Sequence, residues 1–168
     1  MKQKAVEHVF FKFENDFVEA DIRCIPMIVR FKLDACGIKL KLAEWSRMSS
    51  LERGRLATAP CEEEAEIAQY RDELQRLILQ RTGNTATEIP IPLNPPWCLT
   101  HEVPFAIRKR MQVEGFVVSL ALWRRLTDLQ RFALMKLSSP GHENKNFPRA
   151  MVEFGFTAST KASFSPQL

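Results

Sequence analysis

The sequence predicts a mainly α-helical fold. We expect a single compact helical domain built from two pseudo-repeated helix-turn-helix-helix units, with an extended N-terminal arm and a proline-rich crossing segment. The main support is an internal repeat, because residues 26–56 align without a gap on residues 104–134 at a constant offset of 78. The identical positions include prolines, glycines and tryptophans, residue types with specific conformational or packing demands. Duplication of one supersecondary unit explains this pattern.

Local rules predict the elements of each unit. Pro26 and Pro104 mark helix starts, because proline in the first turn loses no hydrogen bond. Apolar residues then recur at helical spacing as far as Gly37 and Gly115, where a left-handed residue ends the helix. A short helix follows and carries Trp45 or its counterpart Trp123. Ser-x-x-Glu at 49–52 and Thr-x-x-Gln at 127–130 fit the capping box that starts a third helix.

Three segments lie before and between the two copies. In the N-terminal segment, Phe10, Phe11, Phe13 and Phe17 alternate with Lys12, Glu14 and Asp16. This alternation predicts an extended arm or edge strand over the core. Residues 61–83 have a clear helical period that ends at Gly83. Five prolines between positions 90 and 104 then exclude a helix and favour an extended crossing, with Trp97 packed against the protein.

The end of the chain combines a polar turn, a short helix and a tail. Residues 142–146 are five consecutive polar residues, and Phe147 and Pro148 are predicted to start the last helix. The polar stretch fits a solvated turn, and it also fits a recognition loop for an anion or for a partner's carboxylates. Residues 157–168 are rich in Ser and Thr and are expected to form a disordered tail, so the predicted domain spans residues 1–156.

Composition is that of a soluble globular protein. Of the 168 residues, 45% are apolar and 26% are charged, and the net charge of +4 permits an acidic partner. No apolar run approaches the ~20 residues of a membrane span, and the N-terminal stretch lacks the apolar core of a signal peptide. We therefore expect a cytoplasmic protein. The four cysteines lack metal-ligand spacing and are expected to be buried free thiols.

Catalytic residues cannot be assigned from the sequence. The three histidines are not next to a nucleophile in any recognisable motif, and the six glycines form no phosphate-binding loop. We predict no catalytic residue, no metal site and no cofactor, and hence a protein that is not an enzyme. The alternative is a nucleic-acid-binding regulator with tandem helix-turn-helix-like units, in which Arg53, Arg55 and Arg131 would lie on the last helices.

A family resemblance supplies a functional expectation. The segments FKFENDF, IRCIPMIVRFKLDACGIKLKLAEW, LILQRTG, LQRFALMKLSSPGHENKNFP and EFGF, from about Phe10 to Phe156, resemble the cyanobacterial nitrate reductase-associated protein family. The resemblance implies a small, non-catalytic accessory protein that supports the maturation or activity of the ferredoxin-dependent assimilatory nitrate reductase. The molybdopterin and iron–sulfur cofactors belong to that partner. The resemblance leaves open whether the accessory protein inserts a cofactor, protects an immature enzyme or remains as a subunit.

Polar residues within the resembling segments are the candidates for a surface that docks on the reductase. They are Glu14, Asp16, Arg23, Arg30, Lys32, Asp34, Lys39, His142, Glu143, Asn144, Lys145 and Asn146. Charged side chains are rarely buried, so their concentration in these segments favours an external role. Arg30 and Asp34 are one helical turn apart, and an ion pair between them is the structural alternative. The oligomeric state is left open.

Overall fold

The computed structural model describes residues 9–18, 22–139 and 145–159, and the fold in these ranges is mainly helical, as predicted. The chain divides into two compact units, Met1–Pro95 and Pro96–Leu168. Each predicted repeat therefore belongs to a different unit, residues 26–56 to the first and residues 104–134 to the second. The expectation of one domain over residues 1–156 stays a prediction.

The first unit is a small helical bundle with one short two-stranded antiparallel sheet. Its elements are a 3-10 turn at Lys12–Glu14, α1 at Asn15–Val18, α2 at Met27–Cys36, β1 at Ile38–Lys39, α3 at Leu42–Ser46, α4 at Ser50–Thr58, α5 at Glu64–Thr82 and β2 at Thr87–Glu88. Helix α2 packs on α4 and α5, and α3 also packs on α5. Val29, Leu33, Trp45, Leu74 and Ile78 are among the buried residues of this core. Their burial provides most of the stabilisation that a bundle of this kind has.

The N-terminal segment is helical, so the predicted extended arm is wrong for Lys12–Val18. The carboxylate of Glu14 accepts hydrogen bonds from the backbone N–H of Phe11 and from that of Met27. These bonds close a tight turn against the start of α2, which a straight strand could not do. Alternating aromatic and charged residues are a weak strand signal here, because the segment is too short to distinguish the two-residue period of a strand from the period of a helix.

Gly37 lies at the end of α2, where residues 89–91 pass close to it. It ends that helix in the left-handed conformation, with φ of 69°. Strands β1 and β2 then pair antiparallel, with Ile38 opposite Glu88, and the backbone N–H of Ile89 donates to the Gly37 carbonyl at 2.9 Å. A β-carbon on Gly37 would lie 2.8 Å from both the Ile89 carbonyl oxygen and Cγ1 of Ile91, so only glycine fits this crossing.

The second unit has three α-helices in the same order as α2, α3 and α4, and it ends in a different helix. It contains a 3-10 turn at Pro96–Cys98, α6 at Phe105–Val113, α7 at Leu120–Arg125, α8 at Asp128–Ser138 and α9 at Asn146–Glu153. Helix α8 is central, since α6, α9 and the 3-10 turn all pack on it. The half-buried Trp97 ring meets the Phe132 ring edge-on, with centroids 5.0 Å apart.

The backbone of residues 157–159 is paired with the segment that follows α6. The Val117 N–H donates to the Thr157 carbonyl, and the Ser159 N–H donates to the Gly115 carbonyl. Ala158 bridges to Phe116 in the same arrangement. Backbone pairing therefore reaches Ser159, past the expected boundary at residue 156, and it satisfies backbone groups that a free tail would leave to water. The rest of the predicted tail, residues 160–168, lies outside the described residues.

Each unit has equivalent internal contacts at the positions that the sequence repeat aligns. Trp45 and Trp123 are both fully buried. Their indole N–H groups donate to the carbonyls of Ile22 and Leu99, at 2.8 and 3.0 Å. The predicted capping boxes at 49–52 and 127–130 are both present. Each box starts its helix as the local rule requires. Descent of the two units from one duplicated sequence stays a prediction.

Candidate docking surface

Glu14, one of the predicted docking residues, belongs to the interior. Its side chain is buried, and its carboxylate receives the Met27 N–H at 2.8 Å and the Phe11 N–H at 3.3 Å. The first N–H groups of a helix have no partner within the helix, so a carboxylate there stabilises the helix start. Glu14 thus holds α2 in place and is not available to a partner, contrary to the expectation that it lies on the surface.

Lys32 was also predicted to lie on the docking surface, and it too belongs to the interior. Its side chain is buried, and its ammonium group donates to the carbonyls of Ala57 and Ala59 at 2.7 and 2.6 Å. These carbonyls belong to the last turn of α4 and its cap, where a cation is favourable. The ammonium nitrogen also lies 5.7 Å from the centre of the Tyr70 ring. Burial lowers the pKa of Lys32, and the nearby Cys61 and Glu62 oppose that shift.

The other charged candidates of the first unit are more accessible. Arg30 and Asp34 are half-buried on α2, and the Arg30 side chain donates from Nε to the Ile25 carbonyl at 2.9 Å. Asp16, Arg23 and Lys39 are exposed. Asp16 lies on α1 and Lys39 on β1, so the exposed candidates of this unit come from separate elements. These three residues retain the surface character on which the docking hypothesis depends.

The polar turn lies partly outside the described residues. His142, Glu143 and Asn144 fall in the stretch that the structure does not describe, whereas Lys145 is exposed and directly precedes α9. Asn146 is the first residue of α9 and is half-buried. Helix α9 buries Phe147, Ala150 and Met151 beneath it. Lys145 and Asn146 are therefore the described residues of the predicted loop, and Lys145 presents a charge to solvent.

Charge is distributed unequally between the two units, which sequence reasoning overlooked. Residues 96–168 contain ten Lys and Arg and five Asp and Glu, a net charge of +5, whereas residues 1–95 contain 14 and 15, a net charge of −1. The exposed cations of the second unit include Arg108, Lys109, Arg124, Arg125, Lys136, Lys145 and Arg149. Each repeat by itself has a net charge of +4, so the asymmetry arises outside the repeats, chiefly in residues 57–95, which contain three Lys and Arg and seven Asp and Glu. The second unit is the one suited to an acidic partner.

Two exposed apolar side chains on α6 were also missed. Phe105 is 71% exposed and Val113 is 74% exposed, whereas Ile107 and Met111 on the opposite side are buried. The helical period in the sequence predicts one apolar stripe on this helix, the buried one that includes Ile107 and Met111. A helical projection of α6 places Phe105, Lys109 and Val113 on a second stripe, because residues four apart share a face. Large apolar side chains on a charged surface are common in protein interfaces.

The arginines that suggested nucleic-acid binding have structural roles. Arg53 and Arg131 are buried, and each stacks over the tryptophan of its own unit. Nε of Arg53 donates to the Trp45 carbonyl at 3.1 Å, and Nη1 of Arg131 donates to the Trp123 carbonyl at 3.3 Å. A buried guanidinium with backbone partners cannot reach a base edge. Of the three arginines, only Arg55 is exposed, and this alternative therefore loses its main support.

The cysteines follow the expectation only in part. Cys36 and Cys61 are buried free thiols, as predicted, whereas Cys24 and Cys98 are exposed. Burial raises the pKa of Cys36 to about 11, which makes that thiol unreactive at neutral pH. Among the described residues, no group of three His, Cys, Asp or Glu side chains is arranged to hold a metal ion. No helix in the same residues combines the length and apolar character needed to cross a membrane.

These features define a class: a small helical protein whose buried charges stabilise its own helices and whose second unit exposes basic and apolar side chains. Comparison with known families then gives a specific assignment. Residues 10–154 match the conserved nitrate reductase-associated protein family, and the chain belongs to that family. The match confirms the resemblance found in the sequence. No curated protein and no solved structure matches the chain.

Proposed function

We propose that this protein is a non-catalytic accessory protein that docks on the assimilatory nitrate reductase and supports its maturation or activity. The observation that carries this proposal is membership of the nitrate reductase-associated family over residues 10–154, a stretch that covers most of both units. The ferredoxin-dependent form of the enzyme, with its own molybdopterin and iron–sulfur cofactors, is the partner that the sequence resemblance implies. A shared cytoplasmic location is part of the same proposal.

The use of charge in the structure supports a docking role. Buried charged groups such as Glu14, Lys32 and Arg53 bond to backbone groups and stabilise the helices. The other candidates Asp16, Arg23, Lys39 and Lys145 are exposed to solvent. Charged groups on a rigid helical scaffold orient a partner and raise the rate of association more than they raise affinity. The protein is therefore suited to recognise another folded protein.

Genetic deletion tests the proposal directly. A strain that lacks this protein is expected to grow on ammonium and to fail on nitrate, while it makes normal amounts of the reductase polypeptide. Re-expression of the wild-type chain should restore growth on nitrate. Equal growth of the deletion strain on both nitrogen sources would reject the proposal, and a loss of reductase polypeptide would point to control of its synthesis.

The metal content of the reductase distinguishes the possible modes of action. Reductase purified from the deletion strain would lack molybdenum or iron if the accessory protein supports cofactor insertion. Normal metal content with low activity would indicate that the protein acts on the finished enzyme. A fixed stoichiometry of the two proteins through purification would identify a subunit. These three results are separated by metal analysis and quantitative gel densitometry on the same samples.

A further inference from the structure

One face of α6 combines apolar and cationic side chains and is open to solvent. The exposed residues Phe105, Arg108, Lys109, Gln112 and Val113 lie at the spacing of a single helix face, which we call the α6 face. Phe105 and Val113 are the most exposed large apolar residues of the helix, two turns apart. Among the described residues, no ion pair involves Arg108 or Lys109. The face thus offers both apolar area and positive charge.

The aligned helix of the first unit has no such open face. At the offset of 78, the α6 face corresponds to Met27, Arg30, Phe31, Asp34 and Ala35 of α2. All five are buried or half-buried, and α2 contains no exposed residue. Helix α2 packs on α5, and its first N–H is bonded to Glu14. The same helix position is therefore covered in one unit and uncovered in the other.

The segment that precedes α2 in the first unit indicates which chemistry would fit the α6 face. The segment before α2 packs into the first unit through aromatic side chains, since Phe13 is buried and Phe10 lies against the core. It also contributes the Glu14 carboxylate that bonds to Met27. On α6, Arg108 and Lys109 add positive charge to the corresponding surface. A segment with apolar side chains and carboxylates would match both the Phe105–Val113 stripe and these cations.

We propose that the α6 face is the surface with which this protein binds the nitrate reductase, and that the reductase contributes an apolar segment bearing carboxylates. This inference rests on the proposed function and identifies the location and chemistry of the contact. The apolar residues supply most of the affinity, because large side chains at the centre of an interface dominate its energy. Arg108 and Lys109 orient the segment and make binding sensitive to salt.

Site-specific photocrosslinking with the purified reductase tests the location. A photoreactive phenylalanine analogue is introduced at Phe105 or at Val113, and at Leu51 as a matched control. Leu51 is an apolar residue on α4 of the first unit and is 67% exposed, close to the value for Phe105. Crosslinks to the reductase are expected from positions 105 and 113 and not from position 51. Mass spectrometry of the crosslinked peptide should identify a segment that contains Asp or Glu beside apolar residues.

Affinity measurements on full-length variants test the contribution of the face. Phe105→Ser combined with Val113→Ser should weaken binding to the reductase by at least about tenfold, whereas Leu51→Ser should change it by less than about twofold. Because all three side chains are exposed, the melting temperatures should stay close to that of the wild type. Unchanged affinity of the double variant, without crosslinks from 105 and 113, would reject the α6 face and leave the proposed function intact.

Two other outcomes would also overturn the inference. If the wild-type protein does not bind the reductase at all, the proposed function fails and this inference fails with it. If the protein alone forms a dimer that the double variant abolishes, the α6 face is the contact between two copies of this chain. Sedimentation of the wild type and of the double variant, each over a range of concentrations, distinguishes this case.

Discussion

Replacement of Gly37 tests how the first unit is built. Gly37 and Gly115 end aligned helices with similar positive φ values, 69° and 77°. An alanine at either position must adopt the left-handed conformation, which costs about 1–2 kcal/mol for a residue with a β-carbon. The surroundings differ, since nothing lies within 4 Å of a β-carbon built on Gly115. At Gly37 the same atom would lie 2.8 Å from Cγ1 of Ile91 and from the Ile89 carbonyl oxygen.

The magnitudes follow from this difference in space. Gly115→Ala should lower the free energy of unfolding by about 1–2 kcal/mol, the conformational cost alone. Gly37→Ala should lower it by about 2–5 kcal/mol, because displacement of packed atoms adds roughly 1–3 kcal/mol. The Ile89 oxygen belongs to the backbone and cannot rotate away as the end of a side chain can, so the segment that follows β2 has to move. The hydrogen bond from the Ile89 N–H to the Gly37 carbonyl would then be stretched or lost.

Urea unfolding followed by circular dichroism measures both values. Asparagine variants separate the two causes, because asparagine tolerates the left-handed conformation but still carries a β-carbon. Gly115→Asn should therefore recover most of the stability that Gly115→Ala loses, whereas Gly37→Asn should remain strongly destabilised. Equal losses for Gly37→Ala and Gly115→Ala would refute the crowding argument, and so would recovery at Gly37 with asparagine.

Two further predictions concern buried side chains. Trp45→Ala and Trp123→Ala should each lower the free energy of unfolding by about 3–5 kcal/mol, and a harmless substitution at either position would contradict its role in the core of its unit. For Cys36 the pKa is raised from 9.0 to about 11, so the folded state keeps its proton where the unfolded state loses it. The resulting stabilisation is complete below pH 9 and is lost as pH rises towards 11. The wild type should therefore lose more stability than Cys36→Ala across that range, by at most about 3 kcal/mol, and parallel pH profiles would refute this.

Local signals in the sequence predicted the helix boundaries well. The capping boxes at 49–52 and 127–130 were expected and are present, and Gly37 and Gly115 end their helices as predicted. A capping box involves residues three apart, and a left-handed end involves one residue, so both can be read from a few neighbouring letters. The prediction of an extended N-terminal arm is wrong, and besides the shortness of the segment a distant contact contributes, since the Glu14 carboxylate accepts a hydrogen bond from the N–H of Met27, thirteen residues away.

The candidate site was predicted less well, since exposure depends on distant parts of the chain. Glu14 and Lys32 were expected on the surface because charged residues are rarely buried. Both are buried because they bond to helix ends, and the partners of Lys32 lie 25 and 27 residues further along the chain. In the opposite sense, Phe105 was not recognised as exposed. Helical periodicity identifies the stripe through Ile107 and Met111, but the exposure of Phe105 depends on which other segments of the chain pack on that helix.

The helical fold class, the helix caps, the aligned repeat and the family can all be predicted from residue type and spacing along the chain. Which charges stabilise the interior and which remain on the surface depends instead on the tertiary structure. It also decided that α2 is covered while α6 is open. The physical reason is that burial is a property of contacts between separated segments, and residues with the same local sequence pattern can receive different neighbours.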